Sequence, residues 1–257
     1  MTRYRALAAL LLTVIFSACE KNAVQDITAP EPGARIKFFN FGVNAPSVNF
    51  YAGSAKMTAT VSTTGVEAVT GVSYGAVSAS GFYSGLEPGA YDLTGRIAAT
   101  VDKDLVIATL PATVEDGKSY SFYLSGFYDA VAKTSASFIV EDDFPDAFDF
   151  TVAQVRFVHA ISNAAPMSLI VTNTTTNEVD TLGTAAIAYQ TAGPFVSLPP
   201  GRYNLATRYV AGVSNIITRT NVDFVGGRTY TIGARGDITV VSTTATNRPF
   251  LDNTANR

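Results

Sequence analysis

Residues 34–40 read Ala-Arg-Ile-Lys-Phe-Phe-Asn, and residues 153–159 read Ala-Gln-Val-Arg-Phe-Val-His. The same landmarks follow both stretches in the same order. They are a loop with Asn-Ala and Pro, a Pro-Gly-x-Tyr-x-Leu segment, and a Gly followed by a basic residue, Ser or Thr, and Tyr. Ordered matches of this kind indicate an internal repeat with a period of about 110 to 120 residues. The chain therefore contains two copies of one structural unit.

The composition of the repeat predicts β-strands. Runs between turn residues are short, rich in Val, Ile, Thr, Tyr and Phe, and often alternate in polarity. In residues 91–95 and 203–207, Tyr and Leu fall on one face while Asp or Asn falls on the other, as in a half-buried strand. Pro-Gly stands before each of these strands as a turn signal, and Gly117 and Gly227 precede two further predicted strands.

The number and spacing of these strands indicate a sandwich fold. About eight or nine short strands per unit, with turn signals every ~8 to 12 residues, are typical of an immunoglobulin-like sandwich. We predict an all-β protein with two tandem immunoglobulin-like antiparallel β-sandwich domains, at residues 34–145 and 150–245, and a C-terminal tail at residues 246–257. A single large barrel is the alternative, but about 100 residues suffice for an independent core. The domain boundary falls in the acidic stretch 141–149.

Several of these segments carry a family resemblance. They are residues 155–160, residues 163–166, the two Pro-Gly-x-Tyr-x-Leu turns and residues 140–145. As a set they resemble the bacterial envelope family called domain of unknown function 4397, in two tandem copies over nearly all of residues 34–242. The first copy departs from the family with Asn40, where the second has His159, and the second lacks a clean Glu-Asp-Asp ending. The resemblance implies an immunoglobulin-like sandwich on an exported protein, and no activity.

The N-terminus has the pattern of a lipoprotein signal peptide. Arg3 and Arg5 precede an apolar run at residues 6–16, which is too short at about 16 Å to span a bilayer. The run ends in Phe-Ser-Ala-Cys, which resembles a bacterial lipobox with Phe where Leu is usual. We predict a signal peptide at residues 1–18, cleavage between Ala18 and Cys19, and lipid attachment at Cys19. Residues 19–33 are then a flexible, lipid-anchored linker.

This anchor sets the expected surroundings of the protein. A thioether-linked lipid on Cys19 makes the lipid bilayer a partner, and a second acyl chain on the freed amino group makes the attachment stable. We expect the protein in the cell envelope, lipid-anchored to the membrane, at the outer membrane or facing the periplasm. The sequence does not identify a glycan or protein ligand, so we leave both classes of ligand open.

Composition excludes several other functions. The 257 residues carry a net charge of −3 and include one Cys, one His and no Trp. One Cys cannot form an internal disulfide, and one His leaves too few ligands for a conventional zinc site. The balance of charges provides no basic stripe for phosphates, so we expect no nucleic-acid partner. We predict no metal site and no cofactor.

His159 is the natural candidate for catalysis because it is the only imidazole. Strand alternation places it on the core face, and Asn40 occupies the same position in the first copy. Two different polar side chains at one repeat position share hydrogen bonding to a neighbouring loop rather than proton transfer. We therefore predict a structural role for both, with a functional site at His159 as the alternative.

The acidic run in residues 141–149 contains Glu141, Asp142, Asp143, Asp146 and Asp149. A solvated connection between the domains is the favoured interpretation. Calcium binding is the alternative, because hard cations prefer several oxygen ligands, although the run lacks the Gly and the strict alternation of a calcium loop.

The aromatic residues divide by whether they recur in the repeat. Four tyrosines recur and are predicted to pack in the core or at strand edges. Others do not recur and are the better candidates for a binding loop, although surface packing is the default interpretation for them too. The recurring residues are Tyr91, Tyr120, Tyr203 and Tyr230, and the others are Tyr83, Phe127, Tyr128 and Tyr209.

Nothing in the sequence marks an enzyme. A Ser-His-Asp arrangement could use only His159, a phosphate-binding loop is absent, and no pair of acids is singled out. We predict no catalytic residues and a non-enzymatic, lipid-anchored envelope lipoprotein acting as a structural or adhesive module. A carbohydrate- or peptide-binding accessory lipoprotein is the second hypothesis, and an envelope hydrolase is the third.

Overall fold

A computed structural model describes residues 33–58, 65, 70–145, 148–210 and 212–257. These residues form β-strands and connecting loops, including a tight turn at Ser78–Gly81 in which Ala79 and Ser80 have φ of 46° and 55°. In the first copy the strands are β1 (Ala34–Asn40), β2 (Val48–Ala52), β3 (Ala55–Lys56), β4 (Ser84–Leu86), β5 (Gly89–Ile97), β6 (Val106–Val114), β7 (Ser119–Asp129) and β8 (Thr134–Glu141). In the second they are β9 (Ala153–His159), β10 (Met167–Asn173), β11 (Val179–Ile187), β12 (Thr191–Ala192), β13 (Val196–Leu198), β14 (Gly201–Tyr209), β15 (Thr218–Phe224), β16 (Thr229–Arg235) and β17 (Phe250–Ala255).

The strands form four sheets, two in each copy. The first sandwich consists of sheet β4-β1-β7-β8 and sheet β3-β2-β5-β6. The second consists of sheet β12-β9-β16-β17, in which β13 also pairs with β9, and sheet β11-β10-β14-β15. The prediction of an all-β protein with two tandem sandwiches is thus confirmed. The described strands do not join into the single closed sheet of the alternative.

One strand pair in each sandwich departs from the antiparallel prediction. The opening strand β1 runs parallel to β7, and β9 runs parallel to β16, while the other paired strands are antiparallel. Parallel neighbours need a long connection, and here the rest of the sandwich supplies it. The first strand of each copy therefore lies beside the strand that follows the repeated Gly turn. Gly117 and Gly227 in those turns have φ of 74° and 76°, which favours glycine.

Each sandwich encloses its own apolar core. Ile36 and Phe38 of β1 point into the first core, and Val155 and Phe157 of β9 point into the second. The predicted sharing of faces is confirmed in β14, where Tyr203 and Leu205 are buried and the residue between them is exposed.

A third apolar cluster joins the two sandwiches. It combines side chains of sheet β4-β1-β7-β8 with side chains of the β9 region, namely Phe39, Phe41, Tyr123, Phe138, Val158 and Ala160. The Tyr123 ring stacks 4.5 Å from Phe39 and 4.9 Å from Phe138. We call the contact between these two sheets the junction. It explains why β1, β7, β9 and β16 are buried on both faces rather than on one.

The junction depends on different residue sizes in the two copies. Tyr123 of β7 corresponds to Gly233 of β16, because the Tyr that lies three residues earlier is shared by both copies. A Cβ atom on Gly233 would lie 2.9 Å from the Phe41 ring. The first copy therefore supplies large aromatic side chains, and the second leaves space for them.

The domain boundaries differ from the prediction at one end. β8 ends at Glu141 and β9 begins at Ala153, so the connection lies across the predicted acidic stretch. The predicted C-terminal tail at residues 246–257 is wrong, because Phe250–Ala255 forms β17 and pairs with β16. Leu251 is fully buried in the second core, and this burial stabilises the final strand.

Candidate functional site

A buried cation stands at the centre of the opening strand of each sandwich. Lys37 in β1 and Arg156 in β9 occupy equivalent positions, and their exposures are only 0% and 2%. Their neighbours along each strand fill the cores, so these two side chains point away from their own sandwich and toward the other. Each reaches the residue that follows the last strand of the opposite sandwich.

Arg156 forms a buried ion pair with Asp142. Its Nη2 atom donates to Asp142 Oδ1, and both side chains are almost completely excluded from solvent. Its Nη1 atom donates to the carbonyl of Glu141 at 2.9 Å, and Nε donates to Thr231 Oγ1 at 3.0 Å. The guanidinium therefore binds two residues at the end of the first sandwich and one strand of its own sandwich.

The other oxygen of the Asp142 carboxylate is also fully engaged. Oδ2 accepts hydrogen bonds from Tyr83 Oη at 2.5 Å and from Ser121 Oγ at 2.7 Å. Burial, together with the negative charge of Asp142, raises the pKa of the Tyr83 hydroxyl far above its usual value, so this group remains a donor. The sequence offers Tyr83 as a candidate for a binding loop, with packing as the default; the structure places its hydroxyl in the junction, on Asp142.

Lys37 forms the second contact of this kind. Its Nζ atom donates to Asn256 Oδ1 at 3.0 Å and lies 4.0 Å from the centre of the Tyr83 ring. Asn256 Nδ2 in turn donates to Thr231 Oγ1 at 2.8 Å. Burial lowers the pKa of Lys37 to about 8, although the Asp142 charge opposes this shift.

These contacts follow the internal repeat. Asp142 and Asn256 occupy equivalent positions, because the backbone N–H of each donates at 2.7 Å to the first residue of the neighbouring strand, Ser119 or Thr229. Each opening-strand cation therefore contacts the equivalent residue of the other copy. We call the group formed by Lys37, Tyr83, Asp142, Arg156, Thr231 and Asn256 the junction network.

A cleft of about 740 Å³ lies beside the junction network. Aromatic and polar side chains line it, among them Glu141, Asp143, Phe144, Arg156, Gln190 and Phe195. The Phe144 and Phe195 rings lie 5.5 Å apart, and the Arg156 guanidinium lies 4.7 Å from the Phe195 ring. A concave site with aromatic walls and a few polar groups is the usual form of a small-ligand or peptide site.

Only part of the acidic run forms the solvated connection predicted from the sequence. Asp142 is buried in the ion pair, whereas Glu141 accepts from Lys118 at 3.2 Å near the surface. Asp149 accepts from the Thr151 backbone and side chain, which lowers the pKa of its carboxyl. Asp146 lies outside the described residues. Among those that are described, no three His, Cys, Asp or Glu side chains converge into a group that could hold a metal.

His159 and Asn40 are both buried, and each holds a neighbouring loop. Asn40 Nδ2 donates to the carbonyls of Pro46 and Val72 at 3.1 and 3.0 Å. His159 Nδ1 accepts from the Ile161 N–H at 3.2 Å, so its Nε2–H faces the Ala165 carbonyl at 3.3 Å. The predicted shared role in loop attachment agrees with these bonds. Burial lowers the pKa of His159 and favours the neutral ring.

The recurring tyrosines make the same contacts in both copies. Tyr91 and Tyr203 each donate to the carbonyl four residues earlier, at 2.9 and 2.8 Å. Tyr120 and Tyr230 each accept from the backbone N–H five residues earlier, at 3.1 Å in both cases. These bonds agree with the predicted structural role.

The remaining aromatic candidates do not form a common binding surface in the described residues. Tyr128 packs against the first core and Tyr209 against the second. Phe127 is 43% exposed near the end of β7. Cys19 and the predicted cleavage position after Ala18 lie outside the described residues. Within the ranges that are described, no helix has the length and apolar character needed to cross a bilayer.

Comparison with known proteins assigns the repeat. The family model described as "Domain of unknown function (DUF4397)" matches residues 34–169 and again residues 153–256. The chain belongs to the DUF4397 family. The predicted resemblance, with two tandem copies, is thus confirmed. The family description names no activity.

The other comparisons add little to the DUF4397 assignment. No curated protein matches the chain. A solved leucine-rich repeat protein from Bacteroides thetaiotaomicron VPI-5482 is 13% identical, and the match covers 81% of this chain and 26% of that chain, with a TM-score of 0.23. The DUF4397 chain thus spans about a quarter of that protein, and at this TM-score the likeness carries no argument.

Sequence reasoning missed the junction network of this DUF4397 protein. One signal was available: both opening strands place a cation between apolar residues, Lys37 in one and Arg156 in the other. A charge at the centre of an apolar strand requires a partner if the strand is covered on both faces. The identity of the partner could not be read from the strand, because it comes from the other copy.

His159→Asn exchanges the residue of the second copy for that of the first. Below about pH 6.5 the unfolded chain binds a proton at His159 that the folded chain resists, so this residue lowers stability as the pH falls. We expect the variant to fold and to lose less stability between pH 7 and pH 5 than the wild type. Urea unfolding at both pH values measures the difference, and equal pH dependence in the two proteins would contradict it.

Asp142→Asn tests the buried ion pair. Removing the carboxylate leaves the buried Arg156 charge uncompensated, which we expect to lower the free energy of unfolding by about 3–5 kcal/mol. Asp223→Asn is the matched control, because Asp223 pairs with Arg202 at the surface and solvent screens that pair. Urea unfolding of both variants is the measurement. A similar, small loss in both would show that burial does not govern the Asp142 pair.

Proposed function

We propose that this DUF4397 protein is a non-enzymatic, lipid-anchored component of the bacterial cell envelope that acts as a structural or adhesive module. The observation that carries the proposal is the junction, which joins the two sandwiches through an apolar cluster and a buried ion pair. Contacts of this kind hold the two sandwiches together as one unit. The proposal thus assigns the buried charges to assembly of the module.

The energetics of the junction support a rigid body. Domains within one chain commonly move relative to each other when their interface is small and polar. Separating these sandwiches would break the Arg156–Asp142 pair and expose stacked aromatic side chains such as Phe39 and Tyr123. Exposure of the apolar surface opposes separation. Loss of the ion pair contributes less, because both charges regain hydration once the sandwiches part.

The proposed anchor rests on the N-terminal sequence. The N-terminus has the order of a lipoprotein signal: basic residues, then an 11-residue apolar run, then Ser-Ala-Cys. Lipid on Cys19, followed by a linker to residue 33, supports attachment of a folded body to a membrane surface. The outer membrane or a membrane face in the periplasm is the proposed location.

Cys19→Ala tests the anchor. In a bacterium that expresses the full chain and is fed an alkyne-labelled fatty acid, we expect the wild type to carry label and to sediment with membranes. The variant should carry no label, because it lacks the thiol that forms the thioether. Ser17→Ala is the control, since it keeps a small residue before the cleavage position. Label that persists on the Cys19→Ala protein would overturn the proposed attachment.

A second candidate function is that of an accessory lipoprotein that binds a carbohydrate or a peptide. The cleft beside the junction favours it, because Phe144 and Phe195 offer aromatic surfaces next to polar groups. Glycans and extended peptides both use such surfaces.

Phe195→Ala tests the cleft in the full chain. Screens against envelope glycans and peptides should identify a ligand whose affinity falls about tenfold or more on loss of this ring, a change of about 1.4 kcal/mol. Phe127→Ala is the control, because Phe127 is an exposed aromatic residue that does not line the cleft. Uniform absence of binding by the wild type would count against this second function.

A further inference from the structure

The contact between Lys37 and Asn256 joins a buried amine to a side-chain amide. The two atoms Lys37 Nζ and Asn256 Oδ1 lie 3.0 Å apart, and Lys37 has no solvent exposure. We propose that these two side chains react with each other to form an intramolecular isopeptide bond. The product would link the first strand of the first sandwich to the residue after the last strand of the second.

The repeat shows why this pair differs from a simple ion pair. At the equivalent place, Arg156 faces Asp142, and the two charges compensate each other. Lys37 instead faces the neutral amide of Asn256, so its buried charge has no carboxylate in direct contact. Isolation of a buried charge is unfavourable. Lysine with asparagine is also the combination that can remove the charge by forming an amide.

The reaction balances without another reactant. The Lys37 Nζ lone pair attacks Asn256 Cγ and forms the new C–N bond, and the bond from Cγ to Nδ2 then breaks. The ammonium group of Lys37 loses two protons in total, and the departing –NH₂ group gains both of them and leaves as ammonium. Lys–NH₃⁺ and Asn–CONH₂ thus become Lys–NH–CO–Asn and NH₄⁺, with no oxidant or reductant.

Neighbouring groups suit each part of this reaction. The Tyr83 ring lies 4.0 Å from Lys37 Nζ and confines the amine beside the amide. Asn256 Nδ2 donates to the Thr231 hydroxyl oxygen at 2.8 Å, so this hydroxyl lies beside the leaving nitrogen and can return a proton to it once attack has made that nitrogen an amine. Arg156 Nε donates to the same hydroxyl oxygen at 3.0 Å, which polarises the hydroxyl.

The protonation state of the amine also favours attack. Burial lowers the pKa of Lys37 to about 8. Roughly a tenth of the molecules then have a free amine at neutral pH, whereas an ordinary lysine has far fewer. Mildly alkaline conditions should therefore accelerate bond formation.

Peptide mapping of the purified full chain tests the bond directly. Trypsin does not cleave after an acylated lysine, so we expect residues 36–56 to be joined to residues 236–257 in one branched peptide. Its mass should equal the sum of the two peptides less one ammonia. Fragmentation should place the branch between Lys37 and Asn256. Mapping by peptides makes the readout independent of any lipid on the chain.

Variants identify the reacting groups. Lys37→Arg keeps a cation as in the second copy and should abolish the branched peptide, while Lys118→Arg at an exposed position should leave it unchanged. Thr231→Val should slow its formation several-fold, and Thr231→Ser should restore the rate, because serine retains the hydroxyl. Equal rates in Thr231→Val and the wild type would remove Thr231 from the reaction.

The proposal is overturned by a clear result on the wild type alone. After incubation of the folded protein at pH 9, separate peptides with unmodified Lys37 and Asn256 would show that no bond forms. Loss of ammonia that fragmentation places at Asn256, without a link to Lys37, would show cyclisation of Asn256 on its own backbone, and that result would also overturn it.

Discussion

The burial of one cation on each opening strand is the constraint on which the rest of the structure depends. Lys37 and Arg156 sit between residues that must fill the two cores, so neither can turn inward to its own sandwich. Because the opposite sandwich covers both side chains, each cation needs a polar partner from that sandwich. Asn256 and Asp142 supply it from the opposite copy. The two sandwiches thus complete each other's polar contacts.

The junction also shows why the two copies have diverged. Two identical copies would place the same large side chain on both sides of the contact, and their rings would collide. Here Tyr123 corresponds to Gly233, and the Phe41 ring occupies the space next to that glycine. Divergence at these positions permits close packing of the two sheets. Positions that face the separate cores have remained more alike, as Phe38 and Phe157 illustrate.

Much of each sandwich could be predicted because it depends on local rules. Alternation placed Asn40 and His159 on the core face, and the turn signals located the strands that follow Gly117 and Gly227. The junction network could not be predicted in the same way. Tyr83 and Asp142 appeared as an unpaired aromatic residue and a solvated acid, since their contact joins residues 59 positions apart. Local patterns contain no information on such a pairing.

From the order of the amino acids alone follow the repeat, the β-strands, the family and the expected lipoprotein signal. Each of these depends on neighbouring residues or on similarity between segments. Only the tertiary structure decided that the final residues form a strand, that Lys37 and Arg156 are buried, and that Asn256 lies against Lys37. The physical reason is that a period of two tells which side chains share a face of a strand. What covers that face depends on how distant parts of the chain pack.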